Sequence, residues 1–281
     1  MQQTIQHIPV PVDFSAAALR AVTIAIAIAK MNRAQIHLLH VTENSDTAGA
    51  MSATDRLHTE AQLAAWLSDA VHHTFELQPV CIQAEGIPHA VINNWLKENF
   101  CDLVVMGMYG PHADGALQIG STAYEVIKHN TCPVLLMPAT GTLNYFLKTM
   151  YATRPYSGSM AALNFVKCLM WDNAIVEIFL FAPLSEAQGR SINWLLHTEA
   201  SEALKTINAE WNRHLTPHGV PLAHELMMAV QHSGADLLVL TPSLARENRL
   251  GYVAPEIRDL LKNPLFPILY LMNNTLHYKH A

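Results

Sequence analysis

The sequence predicts an α/β fold built twice, as two open parallel sheets of five strands each with helices on both faces. Three observations carry this. Short apolar runs alternate with segments of helical periodicity, the pattern of strands joined by helical crossovers. The same order returns in the second half of the chain. A glycine-rich stretch, Met106-Gly107-Met108-Tyr109-Gly110 through Gly120-Ser121, lies between an apolar run and a helix-like segment.

In the first half, strand-like Ile8–Val12 leads to a helix over Ala16–Met31 capped by Ser15, then to strand Ile36–Val41. A long helix is expected from about Asp55 to His72, where Leu57, Ala61, Ala64, Leu67 and Val71 form one stripe at three- and four-residue steps. Strand 79–84, helix Pro88–Asn99, strand Leu103–Met106, helix Ser121–His129 and strand Val134–Met137 complete the unit. The second half offers strand 146–152, helix Met160–Met170, strand Ile175–Phe181 and a helix striped by Leu204, Ile207, Trp211 and Leu215. Asp102-Leu103-Val104-Val105 aligns with Asp236-Leu237-Leu238-Val239, and Cys132-Pro133-Val134-Leu135 with Phe266-Pro267-Ile268-Leu269. Both pairs are 134 positions apart (236 − 102 and 267 − 133). The stretch between Pro221 and Asp236 is shorter than its counterpart, so the third strand or its following helix is expected to be abbreviated. The domains are assigned as 1–140 and 141–281.

Composition narrows the function classes. The 281 residues are 51% hydrophobic, enough for two packed cores. A net charge of −6 without a basic stripe argues against nucleic acid, whose recognition needs clustered Lys and Arg. The most apolar stretch, Ala16–Ala29, is interrupted by Arg20 and is shorter than the roughly twenty apolar residues a bilayer span requires. The N-terminus has no secretory pattern, so a cytoplasmic chain with no membrane partner is expected. Cys81, Cys101, Cys132 and Cys168 form no C-x-x-C pair and are expected to be reduced, buried thiols.

The glycine stretch has the spacing G-x2-G-x9-G-[ST], carried by Gly107, Gly110, Gly120 and Ser121. Glycine admits close backbone approach and positive φ, and Ser121 opens a helix whose unpaired N–H groups and dipole favour an anion. Phosphates bind at such strand-to-helix turns in parallel sheets. A turn needing glycine for its own geometry is the competing reading.

This spacing, with Pro9-Val10-Pro11-Val12-Asp13-Phe14-Ser15, closely resembles the ATP-binding class of the universal stress protein family. The resemblance is strong to about residue 139 and continues by pattern to the end as a tandem second domain. It implies an adenine-nucleotide alpha-hydrolase-like sheet of strand order 3-2-1-4-5, with the first and fourth strands adjacent where the winding reverses. It further implies ATP, or else AMP or ADP, as the ligand. Asp13 would face the nucleoside, backbone around Val41 would read the adenine edge, and Pro11 and Val12 would line its slot. Met106 would flank the loop, while Gly107, Gly110, Gly120, Ser121 and Thr122 would hold ribose and phosphates.

No basic side chain occupies the inner loop positions. Phosphate binding would then rest on backbone N–H groups, Ser121 and a divalent metal such as magnesium, and would either be weak or favour a less charged nucleotide. At the 134-residue offset Gly107, Gly110, Gly120 and Ser121 become Thr241, Leu244, Ala254 and Pro255, so the second half has lost the loop. No acid ends its first strand either. Arg154, Arg246 and Arg249 are candidates for a separate anion site, with solvated loops as the simpler reading.

No dedicated metal site is expected: His37 and His40 fall on opposite sides of a strand, and no H-E-x-x-H or Cys/His cluster occurs. No catalytic residues are assigned. The H-I-G-H and S-G-G-x-D-S signatures of adenylate-transferring relatives of the fold are absent, and Ser121 has no histidine nearby in sequence. The expected function is a nucleotide-responsive stress or signalling protein that meets an unidentified protein partner. The alternative is a pure interaction protein with a vestigial site. The halves are expected to pair through their last strands, 132–137 and 266–272, as an intrachain pseudo-dimer.

Overall fold

The computed structural model describes residues 4–43, 61, 79–110, 119–129, 132–141, 146–153, 160–171, 174–183, 209–216, 221–240, 253, 255–262 and 266–271. The chain divides into two compact units, one of Ile5–Asn130 with Val134–Gly141, the other built on Thr142–Ala281.

The first unit runs β1 (His7–Val12), α1 (Ala16–Asn32), β2 (Gln35–Thr42), β3 (Val80–Glu85), α2 (Pro88–Glu98), β4 (Val104–Gly107), α3 (Ser121–His129) and β5 (Val134–Met137). β1 pairs in parallel with β2, β2 with β3, and β4 with β5. β4 lies beside β1, where the Asp102 amide donates to the His7 carbonyl at 3.1 Å. The strands thus follow the expected order 3-2-1-4-5. With the right-handed crossovers that parallel strands follow, the reversal of direction at β1 puts α1 on one face and α2 with α3, which pack on each other, on the other.

The local chemistry accounts for α1. Ser15, in extended conformation, accepts the Ala18 amide through its hydroxyl and caps the helix. Its buried face includes five alanines, Ala17, Ala18, Ala21, Ala25 and Ala29, which let the helix sit close to the sheet. Arg33 ends it in left-handed conformation, φ 57°. The strands β4 and β5 are apolar without alternation because both faces are covered; Val104, Val105, Val134 and Leu135 have no exposed surface.

The second unit runs β6 (Lys148–Thr153), α4 (Met160–Lys167), β7 (Ile175–Pro183), β8 (Ala209–Thr216), α5 (Leu222–Ser233), β9 (Leu237–Leu240), α6 (Pro255–Leu260) and β10 (Ile268–Tyr270). Its strands pair in parallel in the order β8-β7-β6-β9-β10, the same winding as the first unit. One side-chain device recurs in both. The Asp102 carboxylate accepts the amides of Gln6 and His7 at 2.8 and 3.0 Å, and Asp236 accepts those of Leu147 and Lys148 at 3.0 and 3.1 Å. In each unit an aspartate leading into the fourth strand holds the entry of the first.

Three expectations are corrected. Trp211 and Leu215 belong to strand β8, not to a helix. Their four-residue separation also fits the alternation of Ala209-Glu210-Trp211-Asn212 along a strand, and the pairing with β7 decides between the two. The shortening of the second half precedes the third strand rather than following it. His37 and its ladder partner Val80 are 43 residues apart (80 − 37), whereas Val176 and Ala209 are 33 apart (209 − 176). The helix after β8 has 12 residues against 11 after β3.

The third correction concerns the cysteines. Cys101 and Cys132, which lead into the neighbouring strands β4 and β5, are disulfide-bonded; Cys81 and Cys168 are thiols, and Cys81 is exposed. Absence of a C-x-x-C motif says nothing about residues that the sheet brings side by side.

Of the helix expected over 55–72 only Ala61 is described, and it is helical; Leu204, Ile207, Arg154, Arg246, Arg249, Thr241, Leu244 and Ala254 lie outside the described residues, and Pro255 opens α6. Among the described residues no helix is long and apolar enough to cross a membrane.

Candidate functional site

The strands of the first unit are parallel, so their C-terminal ends share one edge of the sheet, and β1 and β4 meet where the winding reverses. Asp13 follows β1 directly and is exposed. Its Oδ1 accepts the Ser15 amide at 3.0 Å, a local turn that fixes the carboxylate while the chain swings from strand to helix. Between them Phe14 has φ 60°, a left-handed conformation rare outside glycine.

Gly107 ends β4, and the Met108 amide extends the ladder to the Met137 carbonyl at 2.8 Å. The far end of the loop returns to the same point, since the Gly120 amide donates to the Met108 carbonyl at 2.7 Å. The Gly120 carbonyl then accepts the Tyr124 amide and opens α3, leaving the first amides of that helix without intrahelical partners. Ser15 joins the two loops, its hydroxyl donating to the Tyr109 carbonyl at 3.4 Å.

Each glycine has its own reason. A Cβ on Gly107 would lie 2.9 Å from the Ala17 Cβ and 3.0 Å from the Ala18 amide nitrogen, so this glycine admits α1 rather than a ligand. A Cβ on Gly120 would come within 3.3 Å of the Met108 carbonyl oxygen, and one on Gly110 would meet, among the described residues, only the Asp13 Oδ2, at 3.4 Å. None of the three takes the left-handed φ that the sequence argument allowed for; close approach accounts for Gly107 and Gly120.

The structure therefore gathers Asp13, Gly110, Gly120 and Ser121 at one place, with Gly107 behind them against α1. Val41 and Thr122 are half-buried at the ends of β2 and α3. Pro11, Val12 and Met106 are buried in their strands, and Met108 has no exposed surface. Residues 111–118 of the loop, His112 and Asp114 among them, lie outside the described residues.

Sequence reasoning missed two participants. His40, the ladder partner of Val12, has its Nδ1 at 2.8 Å from the Val12 carbonyl oxygen. A carbonyl only accepts, so Nδ1 carries the hydrogen. The His40 ring packs on Phe14 with centroids 4.9 Å apart. The positive φ of Phe14 has no local sequence signal, because the Asp-Phe-Ser tripeptide contains no glycine.

Residues 106–122 contain no Lys or Arg. Burial raises the Tyr109 phenol above its ordinary value, keeping it a neutral hydroxyl. What this edge offers an anion is backbone N–H groups, the α3 terminus and the Ser121 hydroxyl. Among the described residues no group of three or more His, Cys, Asp or Glu side chains could hold a metal ion.

The universal stress protein family model matches residues 4–138. A universal stress protein of Methanocaldococcus jannaschii is 29% identical over 138 residues, spanning 47% of this chain and 81% of that protein. The universal stress protein YxiE of Bacillus subtilis is 28% identical over 141 residues, spanning 46% and 95%. Over the full length, the crystal structure of a universal stress protein from Archaeoglobus fulgidus superposes with a TM-score of 0.69 at 13% identity, covering 95% of this chain and 98% of that one. At that identity the likeness concerns the fold. Residues 4–138, close to half of the chain, form a domain of the universal stress protein family.

Proposed function

We propose that the first half binds one adenine nucleotide, ATP or a less phosphorylated form, and that occupancy rather than turnover is its output. The observation that supports this most directly is the convergence of Asp13, from the end of β1, on Gly110 and Gly120, from the loop after β4. Two segments nearly a hundred residues apart make one crevice at the position where parallel sheets of this winding take ligands.

The acid would face the nucleoside, with backbone near Val41 at the adenine edge. The amides around Gly120 and Ser121 would receive phosphate oxygens, with magnesium sharing the charge of the longer polyphosphates. Such groups position a phosphate chain, but among the described loop residues no side chain is placed as a general base for water. Hydrolysis would be slow or absent, and the nucleotide would act by changing how the protein meets a partner.

Calorimetric titration of the full chain with ATP and magnesium tests the reading. The expected result is one site per chain, lost in Gly110→Val with the melting temperature retained, because a side chain there points toward Asp13 and not into the core. No binding in the unmodified chain, two sites, or unchanged affinity in Gly110→Val would overturn it. Multiple turnover near ten per second, an ordinary enzymatic rate, would overturn the non-catalytic part.

A vestigial site in a pure interaction protein is the second reading. It is favoured by one observation, that Gly107 is explained by the approach of α1 without any ligand.

A further inference from the structure

The turn that presents Asp13 is not self-sufficient. Phe14 holds φ 60° without being glycine, a conformation that persists only when its surroundings enforce it. The Asp13 Oδ1 contact to the Ser15 amide and the Ser15 cap on α1 hold the downstream side. On the upstream side, one residue of β2 makes two contacts. The His40 Nδ1–H donates to the Val12 carbonyl, the last group of β1 before Asp13, and the His40 ring lies against Phe14.

We propose that His40 is a positioning residue of the site: by gripping the Val12 carbonyl and the Phe14 ring together, it fixes where the Asp13 carboxylate stands relative to Gly110. This rests on the nucleotide reading for its functional consequence, though the placement itself can be measured without any ligand. Release of either contact lets Phe14 relax toward the ordinary β or α region. That rotation would carry the Asp13 side chain away from Gly110 and loosen the Ser15 amide.

The two contacts can be removed separately. His40→Phe keeps a ring against Phe14 and removes the Nδ1 donor; His40→Asn keeps a donor near that position and removes the ring. In the ligand-free full chain, hydrogen exchange at the Ser15 amide should be at least about tenfold faster in both variants, since that amide is protected by Asp13 only while the turn is set. With ATP as the probe, each variant should bind about tenfold more weakly than the unmodified chain. In an Asp13→Ala background the same changes should alter affinity less than about twofold, because a residue acting through Asp13 has nothing left to place.

Unchanged Ser15 exchange in both variants would overturn the proposal even if ATP binds as expected. So would a His40 effect of full size in the Asp13→Ala background. If the unmodified chain binds no ATP, the nucleotide reading falls and the exchange measurement alone decides the role of His40.

Discussion

The two loop glycines nearest β4 look equivalent in sequence and are not. A Cβ at residue 107 would press on the first turn of α1, while one at residue 110 meets a single carboxylate oxygen at ordinary contact distance. Gly107→Ala should therefore destabilise the first unit by about 1–3 kcal/mol, the usual range for overpacking, whereas Gly110→Ala should change stability by under about 0.5 kcal/mol. Urea melts of the two variants check this; equal losses would show that α1 yields. The thiols give a second residue-scale expectation. Two of the four cysteines should react with a thiol reagent in the native protein and four after reduction and unfolding. Cys81, exposed, should react first; Cys168 should lag because burial raises its thiol above the ordinary value and so depletes the thiolate. Four fast thiols in the native protein would contradict the pairing of Cys101 and Cys132.

At the scale of elements, β1, β2 and α2 meet in one cluster, His7 with His37 at 3.3 Å and His37 against Trp95 with centroids 5.3 Å apart. Burial holds His37 below its ordinary value of 6.5, and the neighbouring His7 lowers it further. The unfolded chain then takes up this proton before the folded one does. Stability from the cluster is complete above about pH 6.5 and declines as pH falls from there toward the lower folded value. Melting temperature should drop on acidification through that window, and less steeply in His37→Gln, with imidazole NMR placing the His37 midpoint below that of a free histidine. A midpoint at or above the free value would contradict the cluster. The elements themselves were largely legible in the sequence. Ser15, the alanine-rich run behind it and the unbroken apolar runs of β4 and β5 mark α1 and its neighbours within about a residue. β8 was not legible, because Trp211 and Leu215 satisfy both periods and only pairing with β7 separates them. Of the site, Asp13 and the glycine spacing could be read, since motifs are contiguous. His40 could not, because its contacts cross from β2 to the end of β1, and the reason for Gly107 could not, because it lies in the approach of a helix ninety residues earlier.

At the scale of the molecule, the second half keeps the full strand order and the aspartate holding its first strand, but not the residue types of the crevice. Asp102 and Asp236 serve architecture in both halves, while the acid and glycines gathered between β1 and α3 occur in the first alone. Asp236→Ala should accordingly leave nucleotide affinity unchanged within about twofold and cost about 1–3 kcal/mol of stability, the penalty for amides losing a charged acceptor. A weakened affinity, read by the same calorimetry, would mean that the halves are coupled. The loop from Met106 to Thr122 contains no Lys or Arg in a chain of net charge −6. Dipolar N–H groups act over a shorter reach than a fixed cation, so the proposed crevice would draw a phosphate only weakly until the whole molecule is seated. Recognition of this kind is by fit and not by attraction: polyanions at large in a cell, which crowd any basic cleft, would pass this one by.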